Sequence, residues 1–417
     1  MLALRTRAAR TSALATAVAS TLLMAGLGTP SSAGIRDSTV AHTDSIDGTD
    51  RAARRQSASI SVLPQISQVG KRAARPGGAS SVVATKFLPV REGRPVVLSR
   101  LAGTSWVKVA KTKLTAKGLA EFIVRTRTGE VPVTYRATAL KYQGKAAVTT
   151  DEVASDWGTP DFVDEFSGSR LGKSWTHRAG EYNPKGLRRC AKGSRKAVRV
   201  ARGAVQLSVL RDKSKGSKQC LAKRADGRPI GTFDYRLNGH ISTSTTESFT
   251  YGVAAARMKF QQRRGQHASF WMQPLIVDRK AKTAAKGGAE IDIIEWFGDG
   301  GAGGGLTSFI YHPSRKGPVK VGDFIENPDQ YLSSRSDRWW KKYHVFSVEW
   351  TPKVYIFRID GHETFRTNQG ISGQPQFPIL SMLSSDYELE DLGGENFLPQ
   401  HMYVDWVQFW ETDTAER

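Results

Sequence analysis

The stretch "GGAEIDIIEWFGDGGAGGG" (287–305) places three carboxylates, Glu290, Asp292 and Glu295, within six residues of an otherwise apolar run. The run is rich in β-branched and aromatic residues, and it therefore predicts a β-strand. In a regular strand Glu290 and Asp292 share one face, while Glu295 points to the other. One extra residue at a β-bulge would return Glu295 to the face of the first two acids. Because carboxylates in an apolar strand are costly unless they are paired, metal-bound or used, the stretch indicates a functional site.

Two uses of clustered acids compete for this strand. Calcium sites usually take their oxygens from flexible loops with closely spaced acids, whereas these acids lie in an apolar strand. Three carboxylates on one face, with isoleucines anchoring the opposite face in the core, suit acid–base chemistry better. We therefore expect Glu290, Asp292 and Glu295 to be catalytic, with metal binding as the rival use. No cofactor is expected to be required for the catalysis.

The composition favours a β-rich protein with a basic surface. The chain has 417 residues, of which 40 are glycine, and its formal net charge is +22. Such a charge allows nucleic acid, an anionic cell envelope or an acidic polymer as partner, and a basic exported protein without a charged target is the alternative. Aromatic residues are sparse in the basic runs and no nucleic-acid motif is present, so no nucleic-acid partner is expected.

The N-terminal residues 1–33 have the layout of a secretory signal peptide. Arginines in "MLALRTRAAR" precede an apolar, alanine-rich segment, and "TPSSA" offers small residues for cleavage. We therefore expect a secreted, extracellular protein. No apolar run has the length of a membrane span, so no transmembrane segment is expected. In an oxidising compartment the only two cysteines, Cys190 and Cys220, are expected to form a disulfide, with a free pair as the alternative.

Three further regions follow the signal peptide. Residues 34–78 are polar and basic and read as a disordered linker. Residues 79–152 carry short strands at close spacing with glycines at the turns, a pattern similar to the immunoglobulin-like accessory domains of secreted bacterial enzymes. Residues 156–412 again carry many strands with glycine-rich connections, which suits one large two-sheet sandwich. The predicted fold class is therefore all-β.

The stretch "EIDIIE" (290–295) also matches the E-x-D-x-x-E signature of glycoside hydrolase family 16, which includes laminarinases, lichenases and agarases. The resemblance implies a jelly-roll sandwich with a substrate groove across one sheet. It also implies endo-acting cleavage of β-linked glycans with retention of configuration. Further stretches resemble the family in its order, namely "FVDEFSGSRLGKSW" (162–175), "LNGHISTSTTESFTYGVAAARMKF" (237–260), "ASFWMQ" (268–273), "YHVFSVEWTPKVYIFRIDG" (343–361) and "MYVDWVQFW" (402–410).

By this resemblance Glu290 is the nucleophile, Glu295 the general acid/base and Asp292 the assisting carboxylate between them. In a retaining site the two carboxyl groups stand roughly 5–5.5 Å apart, and at that distance the charge of one favours protonation of the other. The three acids are therefore expected to titrate as a coupled set. The expected substrate is a β-1,3- or β-1,3-1,4-glucan. A hydrolase of an acidic or sulfated β-galactan-type polymer and a non-catalytic glycan- or polyanion-binding protein are the alternatives.

A groove for sugar rings needs aromatic platforms beside the acids. Trp271 in "SFWMQ" and Trp296 beside Glu295 are the first candidates, although each could be a core tryptophan instead. His312 in "FIYHP" sits where many family members carry a histidine next to the active site, which makes it a candidate substrate-binding residue. Asp405 in "YVDW" aligns with a position that contributes to a structural calcium site in several members, which makes it a candidate calcium ligand.

Three departures from the family pattern bear on the substrate. Ala255 replaces an acid in "AARMK", and "SMLSSDYELEDLGGENF" (381–397) replaces the common segment after "FPIL". Both regions are expected to border the groove, which puts a standard laminarin preference in doubt. The basic insertion, "NPKGLRRCAKGSRKAVR" (183–199) and "RDKSKGSKQCLAKRADGR" (211–228), favours an acidic polymer or an anionic envelope.

Overall fold

The computed structural model describes residues 56–125, 131–155, 157–278, 280–301, 305–392 and 397–412. The predicted signal peptide at 1–33, and residues 34–55 of the predicted linker, lie outside these ranges. All described residues belong to one compact unit, Gly48–Arg417. Within them, no helix is long and apolar enough to cross a membrane.

An N-terminal β domain precedes the large domain, as predicted. One of its sheets has the strand order β1-β2-β5, and the other has the order β4-β3-β6-β7 with β8 beside β6. Val83, Phe87, Leu98 and Phe122 are buried in the cluster between the sheets. The eight strands are, in order, Ser57–Ser67, Ser80–Leu88, Pro95–Ala102, Ser105–Lys113, Leu119–Val124, Thr134–Ala139, Val148–Thr149 and Val153–Ala154, and a 3-10 helix spans Pro76–Gly78.

Strand β1 lies within residues 34–78, which the sequence analysis predicts to be a disordered linker. Residues 57–67 of that range pair with β2 in antiparallel register, and the second half of the strand is buried. The prediction of disorder is wrong for these residues because serines separate the apolar side chains, so the local sequence carries little hydrophobic signal. Burial of Leu63 and Ile66 against the large domain supplies the missing stabilisation.

The large domain is a jelly-roll sandwich, as predicted. Its main path runs β21-β20-β19-β18-β25-β16-β13-β26-β17-β22-β23-β24, while β14 and β15 form a separate hairpin. A short helix α1 spans Ala284–Gly287, and 3-10 helices span Arg195–Ala197, Lys213–Lys215, Pro328–Tyr331 and Asp386–Leu392. Strands β9–β26 are Phe162–Asp164, Thr176–His177, Ala191–Gly193, Val198–Ala201, Ala204–Arg211, Gln219–Lys223, Pro229–Asp234, Arg236–Ser242, Gly252–Lys259, His267–Pro274, Glu290–Trp296, Leu306–Ser314, Gly317–Phe324, His344–Trp350, Tyr355–Ile359, His362–Thr367, Gln376–Leu383 and Gln400–Trp410.

The core lies between the two halves of this path, β21 to β16 and β13 to β24. Alternate residues of β18, Ala268, Phe270 and Met272, are fully buried in it together with Ile291 and Ile294 of β19. Because side chains alternate along a strand, the residues between them point to the opposite face of the same half. We call this opposite face, which carries Glu290 and its neighbours, the acid face.

The other half of the path contacts the N-terminal domain through β17. Ala254 and Ala256 point into the core, whereas Val253 and Ala255 pack with Leu63 of β1 in a second buried cluster. Ala255 is therefore far from bordering a groove on the acid face, which corrects the expectation drawn from "AARMK". An acid at this position would be buried among apolar side chains, which is costly without a partner.

Candidate active site

Strand β19 contains the predicted β-bulge. The consecutive residues Phe270 and Trp271 of β18 pair with Ile294 and Asp292, so that Ile293 is an extra residue on β19. The same shift appears on the other side of β19, against β20. The prediction from the sequence is thereby confirmed, and the local cause is the single additional residue.

The bulge brings the three acids together on the acid face. Glu295 pairs with Thr307 of β20, whose hydroxyl points to the acids. Ile291 and Ile294 meanwhile remain in the core. The carboxylates of Glu290, Asp292 and Glu295 are close enough for their charges to interact. This is the arrangement that the spacing "EIDIIE" predicts.

Burial and mutual repulsion favour protons on the carboxyls of Asp292 and Glu290. Burial raises the pKa of Asp292 well above its ordinary value, and the charges of Glu290 and Glu295 raise it further. Burial also raises the pKa of Glu290, and Glu295 adds to that effect. Asp292 is only 4% exposed. Of the two acids with raised pKa values, it is therefore the one that most strongly favours the protonated, neutral form. No hydrogen bond joins Asp292 to Glu290 in the described part of the chain.

A short chain of hydrogen bonds orients Glu290. Gln273 Nε2 donates to Glu290 Oε2 across 3.0 Å, and Gln273 Oε1 accepts from both terminal nitrogens of Arg178, at 3.2 and 3.3 Å. The Gln273 hydrogen bond and the positive charges of Arg188 and Arg178 lower the pKa of Glu290, partly offsetting its burial. The network therefore supports an ionised, oriented carboxylate at Glu290.

Glu295 is held by hydroxyl groups from both neighbouring strands. Ser269 Oγ donates to Oε1 across 3.2 Å, and Thr307 Oγ1 donates to Oε2 across 3.4 Å. His267 Nε2 lies 3.9 Å from Oε1. Each carboxylate oxygen thus has its own donor, which fixes the side chain beside Asp292.

Comparisons with known proteins identify the family of the large domain. Residues 202–407 match the family model described as Glycosyl hydrolases family 16. Residues 202–407 form a domain of glycosyl hydrolase family 16. The family match supports a glycosidase.

Individual relatives are distant. The clotting factor G alpha subunit of Tachypleus tridentatus is 24% identical over 202 residues, which cover 46% of this chain and 26% of that protein. The chain thus spans about a quarter of that relative. The laminarinase catalytic domain from Thermotoga maritima MSB8 has a TM-score of 0.45 at 16% identity, covering 61% of this chain and 98% of that chain. An endo-1,3-beta-glucanase (laminarinase) catalytic domain from Thermotoga petrophila RKU-1 has a TM-score of 0.47 at 18% identity, covering 62% and 99%.

The two candidate tryptophans of this family 16 domain differ in their placement. Trp271 lies half-buried on the acid face, where Nε1 donates to Ser381 Oγ across 3.0 Å and the His240 ring stacks at 6.1 Å. Trp296 is 2% exposed in the core, with Nε1 donating to the Gln261 carbonyl across 2.7 Å. The prediction of a sugar platform at Trp296 is therefore wrong. The bulge that returns Glu295 to the acid face turns the next residue inward.

His312 does not reach the acids. It follows Tyr311 on β20, and Tyr311 pairs with Glu290 on the acid face. Alternation therefore directs His312 to the opposite face. There it packs so closely against Gly370 that a Cβ on that glycine would lie 2.4 Å from the imidazole. The expectation that His312 contacts substrate is wrong because period-two alternation separates it from its neighbour.

Asp405 lies at the contact between the two domains. Its fully buried carboxylate forms an ion pair with Arg257 and accepts a hydrogen bond from the Ala74 backbone nitrogen across 2.8 Å. Burial raises the pKa of Asp405 to about 6, although Arg257 lowers it. No group of three or more metal-ligating side chains occurs among the residues that the structure describes. Since a guanidinium already lies against this carboxylate, the surroundings do not fit a calcium ion.

The expected disulfide is confirmed, because Cys190 and Cys220 are bonded. The two cysteines are buried with Phe233, and with Leu389 and Leu392 of the 3-10 helix Asp386–Leu392. The disulfide of the basic insertion therefore packs against the segment that departs from the family pattern after "FPIL". This contact brings both departures to the edge of the acid face.

Several side chains of the site were not predicted from the sequence. Ser269 and Gln273 could have been found, because they alternate with Phe270 and Met272 and so share the face of Trp271. Arg178 and Arg188 could not, because they come from segments distant in sequence. Only the folded chain brings them close to Glu290.

Proposed function

We propose that this protein is a secreted, endo-acting, retaining glycosidase that cleaves a β-1,3- or β-1,3-1,4-glucan. The observation that carries the proposal is the bulged strand, which gathers Glu290, Asp292 and Glu295 on one face. Trp271 on the same face is suited to stacking against a sugar ring. The arginine-rich, apolar N-terminal sequence supports export.

In the first step Glu290 attacks the anomeric carbon while Glu295 gives its proton to the glycosidic oxygen. The bond from the anomeric carbon to that oxygen breaks, and an ester bond to Glu290 forms. The leaving sugar departs as an alcohol, and Glu295 is left ionised. Gln273 supports this step by holding the attacking carboxylate in one orientation.

In the second step water attacks the same carbon and gives its proton to Glu295. The ester bond to Glu290 breaks and the Glu290 carboxylate is restored. Two displacements leave the configuration retained. A neutral Asp292 between the two glutamates keeps the site from holding three negative charges at once, which is favoured by its raised pKa.

A second candidate substrate is an acidic or sulfated β-linked polymer. Arg178 and Arg188 interact with Glu290, and Lys320 interacts with Asp292. Three cations near the acids exceed what a neutral glucan needs and could bind carboxylate or sulfate groups. A panel of neutral β-glucans, neutral galactans and acidic galactans distinguishes the two candidates. Arg188→Ala should weaken cleavage of the acidic polymers more than cleavage of the neutral glucans.

The decisive experiment replaces each proposed catalytic acid. Glu290→Ala should abolish hydrolysis, and azide should restore turnover by entering the vacated space, giving a glycosyl azide of inverted configuration. Glu295→Ala should spare the first step on substrates with good leaving groups, and azide should then give a product of retained configuration. Asp292→Asn should slow turnover while both roles remain.

Asp323→Asn is a matched control, since Asp323 pairs with Ser308 and lies on the opposite side of β21 from the acids. It should leave the rates unchanged. If Glu290→Ala and Glu295→Ala both keep near-normal rates on a substrate that the parent cleaves, the site lies elsewhere. Binding of a glycan without cleavage of any polymer in the panel would support a non-catalytic glycan-binding protein instead.

A further inference from the structure

A buried histidine and a buried glutamate lie directly behind Glu295. His267 begins β18 and its side chain is 5% exposed, as is that of Glu388 in the 3-10 helix Asp386–Leu392. His267 Nδ1 donates to Glu388 Oε1 across 2.8 Å. The other oxygen of Glu388 accepts from the Ser385 backbone nitrogen across 2.6 Å. The pair is therefore rigidly held.

The second nitrogen of this imidazole faces the proposed acid/base. His267 Nε2 lies 3.9 Å from Glu295 Oε1, and the Phe297 ring covers the imidazole with its centroid 5.3 Å away. Contact at this distance between a cation and a carboxylate is strong when water is excluded. The geometry thus links the chain Glu388–His267 to the atom that must give and take a proton.

Four ionisable groups face His267 from the surrounding elements. Burial lowers the pKa of His267 and Arg188 also lowers it, but the carboxylates of Glu388 and Glu295 outweigh both, so the pKa is raised. The fourth group is His240, whose own pKa burial holds well below its ordinary value, so it adds no competing charge. His267 is accordingly favoured as a cation.

We propose that His267 and Glu388 are positioning residues for Glu295, and that the imidazolium held by Glu388 stabilises the carboxylate formed when Glu295 gives its proton to the leaving oxygen. The inference rests on the acid/base role of Glu295 proposed above. No bond to His267 or Glu388 is made or broken, since the proton passes between Glu295 and the glycosidic oxygen. The cation stabilises the negative charge that develops on Glu295 as the proton leaves.

The test is the pH profile of kcat/KM for His267→Gln and Glu388→Gln on a glycan that the parent cleaves. An acid without its cationic neighbour keeps its proton to higher pH, so the alkaline limb should move upward by about one pH unit. The rate below that limb should fall about tenfold, as expected for a weaker general acid. Glu388→Gln should act in the same direction, because His267 then loses its proton more easily. Glu388→Asp, which keeps a carboxylate, should restore part of the effect.

An aryl glycoside with a good leaving group gives a second readout. Its first step needs no proton, so His267→Gln should slow that step far less than the cleavage of the glycan. His344→Gln is the matched control, because His344 is equally buried beside a carboxylate, Asp360 at 2.7 Å. This control should lower stability without moving the alkaline limb.

Folded His267→Gln and Glu388→Gln variants with an unmoved limb, or with equal losses on both kinds of substrate, would overturn the inference. Glu295→Ala in the same assays separates this failure from a failure of the proposed function. If Glu295→Ala behaves as an acid/base variant while the limb stays in place, only the positioning role is wrong. If His267→Gln does not fold, Glu388→Gln and Glu388→Asp give the same measurement.

Discussion

Replacing Arg257 with methionine tests how the two domains are held together. The guanidinium and the Asp405 carboxylate are almost completely buried, with side chains 1% and 0% exposed. Arg257 Nε also donates to the Gln68 carbonyl across 2.5 Å, and NH1 donates to the Arg72 carbonyl across 3.3 Å. Both carbonyls belong to the segment that follows β1. The substitution therefore removes a charge and an anchor for the N-terminal domain.

The free energy of unfolding that Arg257→Met is expected to lose depends on pH. Removing one partner of a buried ion pair costs about 3–5 kcal/mol, because the other charge is left uncompensated. Asp405 can relieve this cost by binding a proton, since burial already raises its pKa to about 6 with Arg257 present. Without Arg257 the folded-state pKa of Asp405 rises further, while an unfolded aspartate ionises near pH 4. The folded state then binds the extra proton, and stability falls as pH rises.

In the parent protein the fall in stability with rising pH ends near pH 6, the pKa of Asp405. In Arg257→Met it continues, at about 1.4 kcal/mol per pH unit. Between pH 6 and pH 8 the variant should therefore lose about 3 kcal/mol more than the parent. Asp405→Asn differs, because the arginine stays charged throughout this range. It should be destabilised by a similar amount at both pH values.

The assay is urea unfolding at pH 6 and pH 8, followed by the fluorescence of the 10 tryptophans. Parent, Arg257→Met, Asp405→Asn and the double variant are compared. The double variant should be less destabilised than the sum of the single ones, because it leaves no unpaired charge. The reasoning is refuted if Arg257→Met loses the same free energy at both pH values, or less than about 1 kcal/mol at pH 8.

Four further predictions address other parts of the molecule. Trp271→Ala should raise KM for a glucan oligosaccharide roughly tenfold with little change in melting temperature, because it removes a stacking surface; an unchanged KM would argue against a platform. Replacing Cys190 and Cys220 with serine should lower the free energy of unfolding by about 3–4 kcal/mol on the chain-entropy model, as measured by denaturant titration. Burial opposes the charging of His344, but neighbouring carboxylates raise its pKa to about 9. The stabilisation by charged His344 is therefore complete below pH ~6.5, and about 3 kcal/mol of it is lost as the pH rises through about 9. His344→Gln should remove this pH dependence from the free energy of unfolding. N-terminal sequencing of protein recovered from the medium should begin near Gly34, and an uncleaved N-terminus would contradict export by a signal peptide.

Much of the site could be predicted because it depends on local geometry. The composition of "EIDIIE" determines a strand, and the spacing of its acids makes sense only with one extra residue, which the register contains. Alternation after the bulge, applied one residue further, would have predicted that Trp296 points into the core. It would also have placed Ser269 and Gln273 beside Trp271. These errors and omissions were avoidable from the alternation alone.

Other contacts were decided only by the tertiary structure. His267 and Glu388 are 121 residues apart in sequence, and Ala74 and Asp405 are 331 apart. Neither pairing has a local signature, because each depends on how complete strands and helices pack after they have formed. The roles of Asp405 and of strand β1 followed from the docking of one domain on another. Alternation and β-propensity act between near neighbours and can be read along a chain, whereas burial of a charge depends on every element that surrounds it in the folded protein.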